Sequence, residues 1–238
     1  MKENPIVYRI SENVFSQFPG YVRGVVAAYD VTNGDSPDRL VGLLRSAEEA
    51  LRGQLDPNKI AEHPRMASWR EAYRAFGAKP AKFRPSMEAM ARRVVKNQEL
   101  PRISALVDIG NVLSLRHLVP AGGHAIDVVI KDIELRPANG SEEFIAFGSE
   151  VVENPEPGEI IFVEDNTVLT RRWTWRQAQH TLVVPSTTAI ELNIDGMPPV
   201  EVSEIEQACK EAIELIQEFC GGTSRYEILS QDNPEMKL

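Results

Sequence analysis

Three groups of residues in this chain have types and spacings that can do chemistry. The first is Gly122-Gly123-His124, inside the stretch Arg102 to Asp127, RISALVDIGNVLSLRHLVPAGGHAID. A glycine pair lets the backbone approach something closely or take positive φ. A histidine directly after it stands at the mouth of a strand, where a pocket can form; a structural role explains it equally well. The second is Glu191, in Thr187-Thr188-Ala189-Ile190-Glu191-Leu192-Asn193-Ile194. Strand alternation puts Ile190, Leu192 and Ile194 on one face and Glu191 with Asn193 on the other. The plain expectation there is a carboxylate facing solvent. The third is Leu169 to Arg176, LTRRWTWR. As a strand it sends Arg172, Thr174 and Arg176 one way and Arg171, Trp173 and Trp175 the other. That reads either as core tryptophans backed by surface arginines or as an aromatic-and-guanidinium surface for a base.

A fourth feature is distributed. Residues 65–102 hold ten Lys/Arg against three Asp/Glu, a local net of +7 in a chain of net charge −9, so the remainder sums to −16. Arg70, Arg74, Lys79, Lys82 and Arg84 dominate it. Such a segment is either a solvated helical face or a phosphate-contacting patch that steers a ligand onto an acidic molecule. Asn111 and Asp108, three apart in the helical part of the first stretch, suit the fixing of backbone and pocket geometry more than chemistry. His117 reads as a surface residue. There is no nucleophile elbow, no plausible Ser-His-Asp order, no Walker loop and no GxGxxG. The four histidines are scattered and no CxxC or HExxH spacing exists, so no metal or other cofactor is expected.

Several elements must position these groups. Strands are expected at 5–10 and 20–31, the latter holding the buried run Val25 to Tyr29. Asn33 to Pro37 forms a turn, and Ser36 caps a helix to about Leu55 with Pro37 at its first position. Two helices fall in the basic segment, around Trp69–Phe76 and from Pro85. The organising stretch is helical until a break at Pro120-Ala121-Gly122-Gly123. Short apolar runs at 126–130, 133–136, 143–147, 159–163, 168–175, 180–184 and 188–194 then read as strands. Residues 201–219 form an amphipathic helix that Gly221-Gly222 stops. The expected fold class is α+β: an N-terminal α/β portion to about 102 and a C-terminal mixed β portion, joined as one domain over 1–228. Residues 229–238 are expected to be a disordered tail.

At 238 residues the chain is long enough to bury a sizeable core. Its acidic balance excludes sequence-blind nucleic-acid binding by the whole surface, and DNA is not an expected partner. No apolar run approaches a membrane span, and the first ten residues lack the apolar core of a signal peptide. Cys209 and Cys220, on one helix, would lie roughly 16 Å apart, too far for a bridge. A reduced, cytoplasmic protein is expected.

The same residues carry a resemblance. Ser104, Val107, Asp108, Ile109 and Asn111, followed by Pro120, His124, Ala125 and Asp127, resemble the S-x-x-V-D-I-x-N and P-x-H-A-x-D motifs of the editing module in the beta subunit of bacterial phenylalanyl-tRNA synthetase. Three residues separate the proline from the histidine here, against one in synthetase versions. Ile190-Glu191 resembles the L-E of that module's T-x-x-x-x-L-E-x-A segment, with Thr187 four residues before the glutamate where the module has its threonine six before it. The Arg-Arg-Trp-x-Trp-Arg run replaces a small-residue loop. It is similar, with the lead-in WREAYRAFGAKPAKFRPSMEAMARRV, to free-standing versions of the module.

The resemblance implies stacked sheets flanked by helices. It also implies a water-based deacylation of a mischarged aminoacyl-tRNA, with tyrosine on phenylalanine tRNA as the inherited substrate. His124, Glu191, Asn111, Gly122 and Gly123 would then line one pocket for the aminoacyl group, Glu191 recognising the tyrosine hydroxyl. Arg70, Arg74, Lys79, Lys82, Arg84, Arg172 and Arg176 would meet the acceptor end of the tRNA. An aminoacyl ester is already activated, so a positioned water and the substrate's own ribose hydroxyl can suffice. The alternative is a binder of tRNA or of an amino acid that keeps the fold without the reaction. A full synthetase is excluded by length and by the lack of ATP-site motifs.

Overall fold

The computed structural model describes residues 5–238. In chain order the strands are β1 (Val7–Ile10), β2 (Val22–Tyr29), β3 (Ala121–Ala125), β4 (Ile133–Pro137), β5 (Phe144–Ile145), β6 (Val152–Glu153), β7 (Ile160–Glu164), β8 (Thr167–Arg171), β9 (Arg176–Gln177), β10 (Ala189–Gly196), β11 (Thr223–Leu229) and β12 (Glu235–Lys237). The α-helices are α1 (Glu12–Gln17), α2 (Asp38–Gln54), α3 (Pro64–Ala75), α4 (Ser86–Val94), α5 (Ala105–His117) and α6 (Val202–Phe219). A six-stranded sheet has the order β12-β1-β4-β7-β8-β9, a four-stranded antiparallel sheet the order β11-β2-β10-β3, and β5-β6 form a small ribbon. The architecture is α+β. No helix among the described residues is long and apolar enough to cross a membrane.

The four-stranded sheet is buried on both faces at β2 and β10, which is why β2 reads as an unbroken apolar run apart from Arg23. One face carries Ile190, Leu192 and Ile194 against α5 and α6. Contact there is close because Gly24 has no side chain: a Cβ would stand 2.3 Å from Cys209 Sγ. The other face meets the six-stranded sheet, with the His124 and Phe162 rings 5.1 Å apart and Arg23 over Phe162 at 5.4 Å. The basic helix α3 docks by its apolar side. Trp69, Tyr21 and Phe18 all stand edge-on to Trp173, at 5.1, 4.8 and 4.8 Å.

Several sequence expectations are corrected. Ser36 does not cap α2; Pro37 holds the cap position, and the Ser36 hydroxyl meets Asp108 Oδ2 at 2.5 Å. The break after α5 falls on Leu118, which takes a left-handed φ of 49°. The glycine pair instead lies inside β3, where the reason for glycine is proximity, since a Cβ on Gly123 would sit 2.8 Å from Ile190 Cδ1. Residues 126–130 and 180–184 are not strands. The 168–175 strand ends at Arg171, because Arg172 and Trp173 are both left-handed, with φ of 47° and 64°. The terminal residues are not a disordered tail. β11 completes the four-stranded sheet, and β12 pairs with β1 with Met236 buried.

Candidate functional site

The site is built on β3, an edge strand of the four-stranded sheet, whose outer side has no strand beside it among the described residues. Pairing with β10 sets Glu191 opposite His124 and Asn193 opposite Gly122. Cross-strand partners share a face, so these side chains point toward the six-stranded sheet. Ile190 and Leu192 point the other way, toward α5. Two cavities follow, one on each face of β3, and both include Ala121, Gly122, Gly123 and Gln177 in their walls.

The inter-sheet cavity, about 170 Å³, has both polar and apolar walls. Arg23, His124, Thr170, Thr174, Gln177 and Asn193 face it, with Trp173 and Trp175 at its side. His124 is buried, and both its nitrogens are engaged: Nδ1 with Thr181 Oγ1 at 2.6 Å and Nε2 with Thr170 Oγ1 at 3.1 Å. Burial, reinforced by Arg23 and then His180, holds the His124 pKa down at about 3. The imidazole is neutral at pH 7. The Gln177 amide donates to Gly123 O at 3.0 Å and to Thr181 O at 3.1 Å, tying the open edge of β3 to the loop that supports His124.

Beneath it lies a buried charge pair that the sequence reading missed. Arg23 Nε donates to Asp195 Oδ1 at 2.7 Å, Nη2 to Oδ2 at 3.1 Å and Nη1 to the Tyr8 hydroxyl at 2.8 Å, while the Tyr21 hydroxyl donates to Asp195. The available signal was Glu191, Asn193 and Asp195 at i, i+2 and i+4 of one strand, a polar face too regular for an exposed edge. Glu191 itself is fully buried and faces neither cavity. Burial raises its pKa to about 8, so it is mostly a neutral acid at pH 7. Asn193 Nδ2 donates to its Oε1 at 3.0 Å, and Oε2 has no hydrogen-bond partner among the described residues. The expected solvent-facing carboxylate is therefore an interior acid.

The helix-side cavity, about 390 Å³, is mainly apolar. Leu106, Val107, Leu182, Val183, Ile190 and Leu192 supply its walls. Asn111 lies here, with Ser104, whose buried hydroxyl has no hydrogen-bond partner among the described residues. Asp108 is turned away, taken by Ser36 and the Ile103 amide. The expectation that His124, Glu191 and Asn111 line one concavity is thus not met. His124 and Asn111 face different cavities across β3, and Gly122 and Gly123 alone of the five residues border both.

The expected tRNA contacts also divide. Arg74, Lys79, Lys82, Arg84 and Arg176 are exposed. Arg70 is not free: its Nη1 meets both oxygens of buried Glu88, at 2.8 and 3.0 Å. Arg171 is paired with Glu159 and Glu153. Arg172 is buried, its guanidinium 3.7 Å from the Phe83 ring centre and 4.6 Å from that of Trp175. His117 pairs with Glu211 rather than standing free on the surface. Among the described residues no group of three or more His, Cys, Asp or Glu is arranged to hold a metal.

The profile of the family described as the B3/4 domain matches residues 68–221, more than half of the chain and all of this site except Arg23 and its tyrosine partners Tyr8 and Tyr21. The chain belongs to that family. The resemblance to the beta-subunit module of phenylalanyl-tRNA synthetase is thereby supported at the level of the domain. No curated protein matches the sequence. Among solved structures, an N-terminal fragment of the phenylalanyl-tRNA synthetase beta subunit from Pyrococcus horikoshii aligns with a TM-score of 0.48 and 11% identity. That alignment covers 100% of this chain, and this B3/4 protein spans 55% of the fragment.

Proposed function

We propose that this B3/4 protein binds the acceptor end of an aminoacyl-tRNA and hydrolyses its ester. The observation that carries the reading is the pair of cavities set back to back on Ala121–Gly123. The apolar chamber suits a bulky amino-acid side chain, and the inter-sheet cavity, with Thr170, Thr174 and Asn193 on its walls, suits the terminal ribose and its hydrogen-bonding groups. The ester would then lie along the glycine edge, where a side chain on either residue would obstruct it. Arg176 and Trp175 offer an entry for the terminal base, with Arg74, Lys79, Lys82 and Arg84 available for phosphates.

His124 is neutral and hydrogen-bonded on both sides, so it positions substrate or water and does not act as the base at pH 7. Water adds to the ester carbonyl, the acyl–oxygen bond breaks, and the proton lost by water passes through the neighbouring ribose hydroxyl to the departing oxygen. Tyrosine on phenylalanine tRNA is the substrate the family resemblance supports. Glu191 faces neither cavity, so a tyrosine hydroxyl would meet Asn111 or the unpartnered Ser104 Oγ instead. Release of labelled amino acid across a panel of aminoacyl-tRNAs, with enzyme far below substrate, tests the reading. Val107→Trp, on the chamber wall, should reduce turnover at least ~10-fold with the fold intact; an unaffected rate would place the acyl group elsewhere.

The second reading, binding without hydrolysis, draws support from the same imidazole. Burial holds the pKa of His124, which faces the inter-sheet cavity, down at about 3, so its imidazole is a poor base at pH 7. Stoichiometric binding of uncharged and charged tRNA with no turnover on any member of the panel would establish it.

A further inference from the structure

A third cavity, about 560 Å³, lies outside the chambers on β3. It opens between the loop after α3 and the segment before β7. Phe76, Lys79, Lys82, Phe83, Glu159 and Arg172 are among its lining residues. Arg172 is only 8% exposed, and its Nη1 has no hydrogen-bond partner among the described residues. Its carboxylate neighbour Glu159 is 3.4 Å away but already holds Arg171 through two bonds, at 2.9 and 2.8 Å, and the Arg172 amide at 3.1 Å. A buried guanidinium short of acceptors is costly unless a ligand supplies one. The backbone is also held in the left-handed region at Arg172 and Trp173 in succession, which fixes the guanidinium between the Phe83 and Trp175 rings. Lys79 and Lys82 are exposed on the cavity, and among the described residues neither joins an ion pair. Glu156 stands on the opposite wall, so the charge is directed from one side and is not a uniform basic surface.

We propose that this cavity is a phosphate-binding site, with Arg172 as the buried anchor and Lys79 and Lys82 as the outer cations. A phosphate oxygen completes the Arg172 fork, and the flanking rings hold the guanidinium flat for that contact. The phosphate comes either from an RNA backbone or from a free nucleotide. The site does not depend on ester hydrolysis at β3, and binding can be measured with no ester present.

Trp175, stacked on Arg172, provides the signal. Inorganic phosphate, AMP and a short single-stranded RNA are titrated while tryptophan fluorescence is read, with chloride at equal ionic strength as the control. Phosphate should give a saturable change that chloride does not. Arg172→Gln should weaken it by roughly ten- to hundredfold, the range for loss of a charge-assisted hydrogen bond. Lys79→Gln/Lys82→Gln, which alters exposed positions only, should weaken it by a smaller factor and decides the matter if Arg172→Gln does not fold. RNA affinity falling in the same variants identifies a backbone phosphate as the source. AMP affinity falling while RNA binding is unchanged identifies a free nucleotide. A phosphate response matched by chloride, or equal in wild type and the double lysine variant, overturns the site.

Discussion

The two faces of β10 differ as sharply as any two regions of the molecule. Toward the helices it presents Ile190, Leu192 and Ile194, the first two lining an apolar chamber; toward the other sheet it presents Glu191, Asn193 and Asp195 to a network of charge and hydrogen bonds. One strand with a period of two thus divides a dry wall from a polar one. The apolar side is held by shape and tolerates volume-preserving change. The polar side is held by mutual satisfaction and tolerates the loss of no member.

The largest expected effect is on the polar side. Asp195→Ala leaves Arg23 buried and uncompensated and should cost about 3–5 kcal/mol in chemical denaturation. Leu192→Ala on the apolar side should cost about 2–5 kcal/mol, the range for a buried leucine. The comparison breaks if Arg23→Met paired with Asp195→Leu proves as damaging as Asp195→Ala, since replacing both partners removes the unpaired charge.

Gly123→Ala tests the wall itself. Its Cβ would press on the end of the Ile190 side chain and stand 3.4 Å from Glu191 O. A cost of about 1–3 kcal/mol is expected, with a narrower mouth to both chambers. Wild-type thermal stability and wild-type ligand binding together would remove β3 from the site.

The pH dependence separates the two titrating groups of the polar face. The Glu191 pKa is raised from 4.5 to about 8, so its stabilising contribution is complete below 4.5 and is lost as pH rises toward and through 8. The His124 pKa is lowered from 6.5 to about 3, so its contribution is present above 6.5 and is lost as pH falls toward 3. Glu191→Gln should therefore gain on the wild type as pH rises from 5 to 8, and His124→Gln should gain as pH falls from 6.5 to 4. Parallel stability curves for variant and wild type would show that the group titrates as in solution. The smallest effect belongs to the basic segment. Neutralising Arg74 should lower the slope of log affinity for tRNA against log salt by roughly 0.7–0.9 if it meets one phosphate. Arg70→Gln should leave that slope unchanged and reduce stability instead, because Arg70 serves Glu88.

Periodicity made α2, α6 and β10 legible in the sequence, since their spacing is itself the burial pattern. The motif residues from Ser104 to Asp127 marked the right region for the cavities. The sequence did not show that Glu191 is interior, because an alternating strand looks the same whether its polar face meets water or a second sheet. Nor did it show Arg23 with Asp195, whose partnership spans 172 positions. The Leu169–Arg176 alternation failed locally. Two non-glycine residues with positive φ leave no mark in composition, yet they turn Trp173 into the core and lay Arg172 across two rings.

Three residues near the C-terminus carry a consequence of another kind. β12 lies along β1 in antiparallel register, and Leu238 N donates to Ile6 O at 2.8 Å. β12 thereby covers hydrogen-bonding groups of β1 that would otherwise form the open margin of the six-stranded sheet, and Glu235 and Lys237 put charge on the new margin. A protease that trimmed the last few residues would remove little of the core, yet it would uncover a strand able to recruit its counterpart from another molecule. The trimmed protein should then gain a tendency to assemble edge to edge.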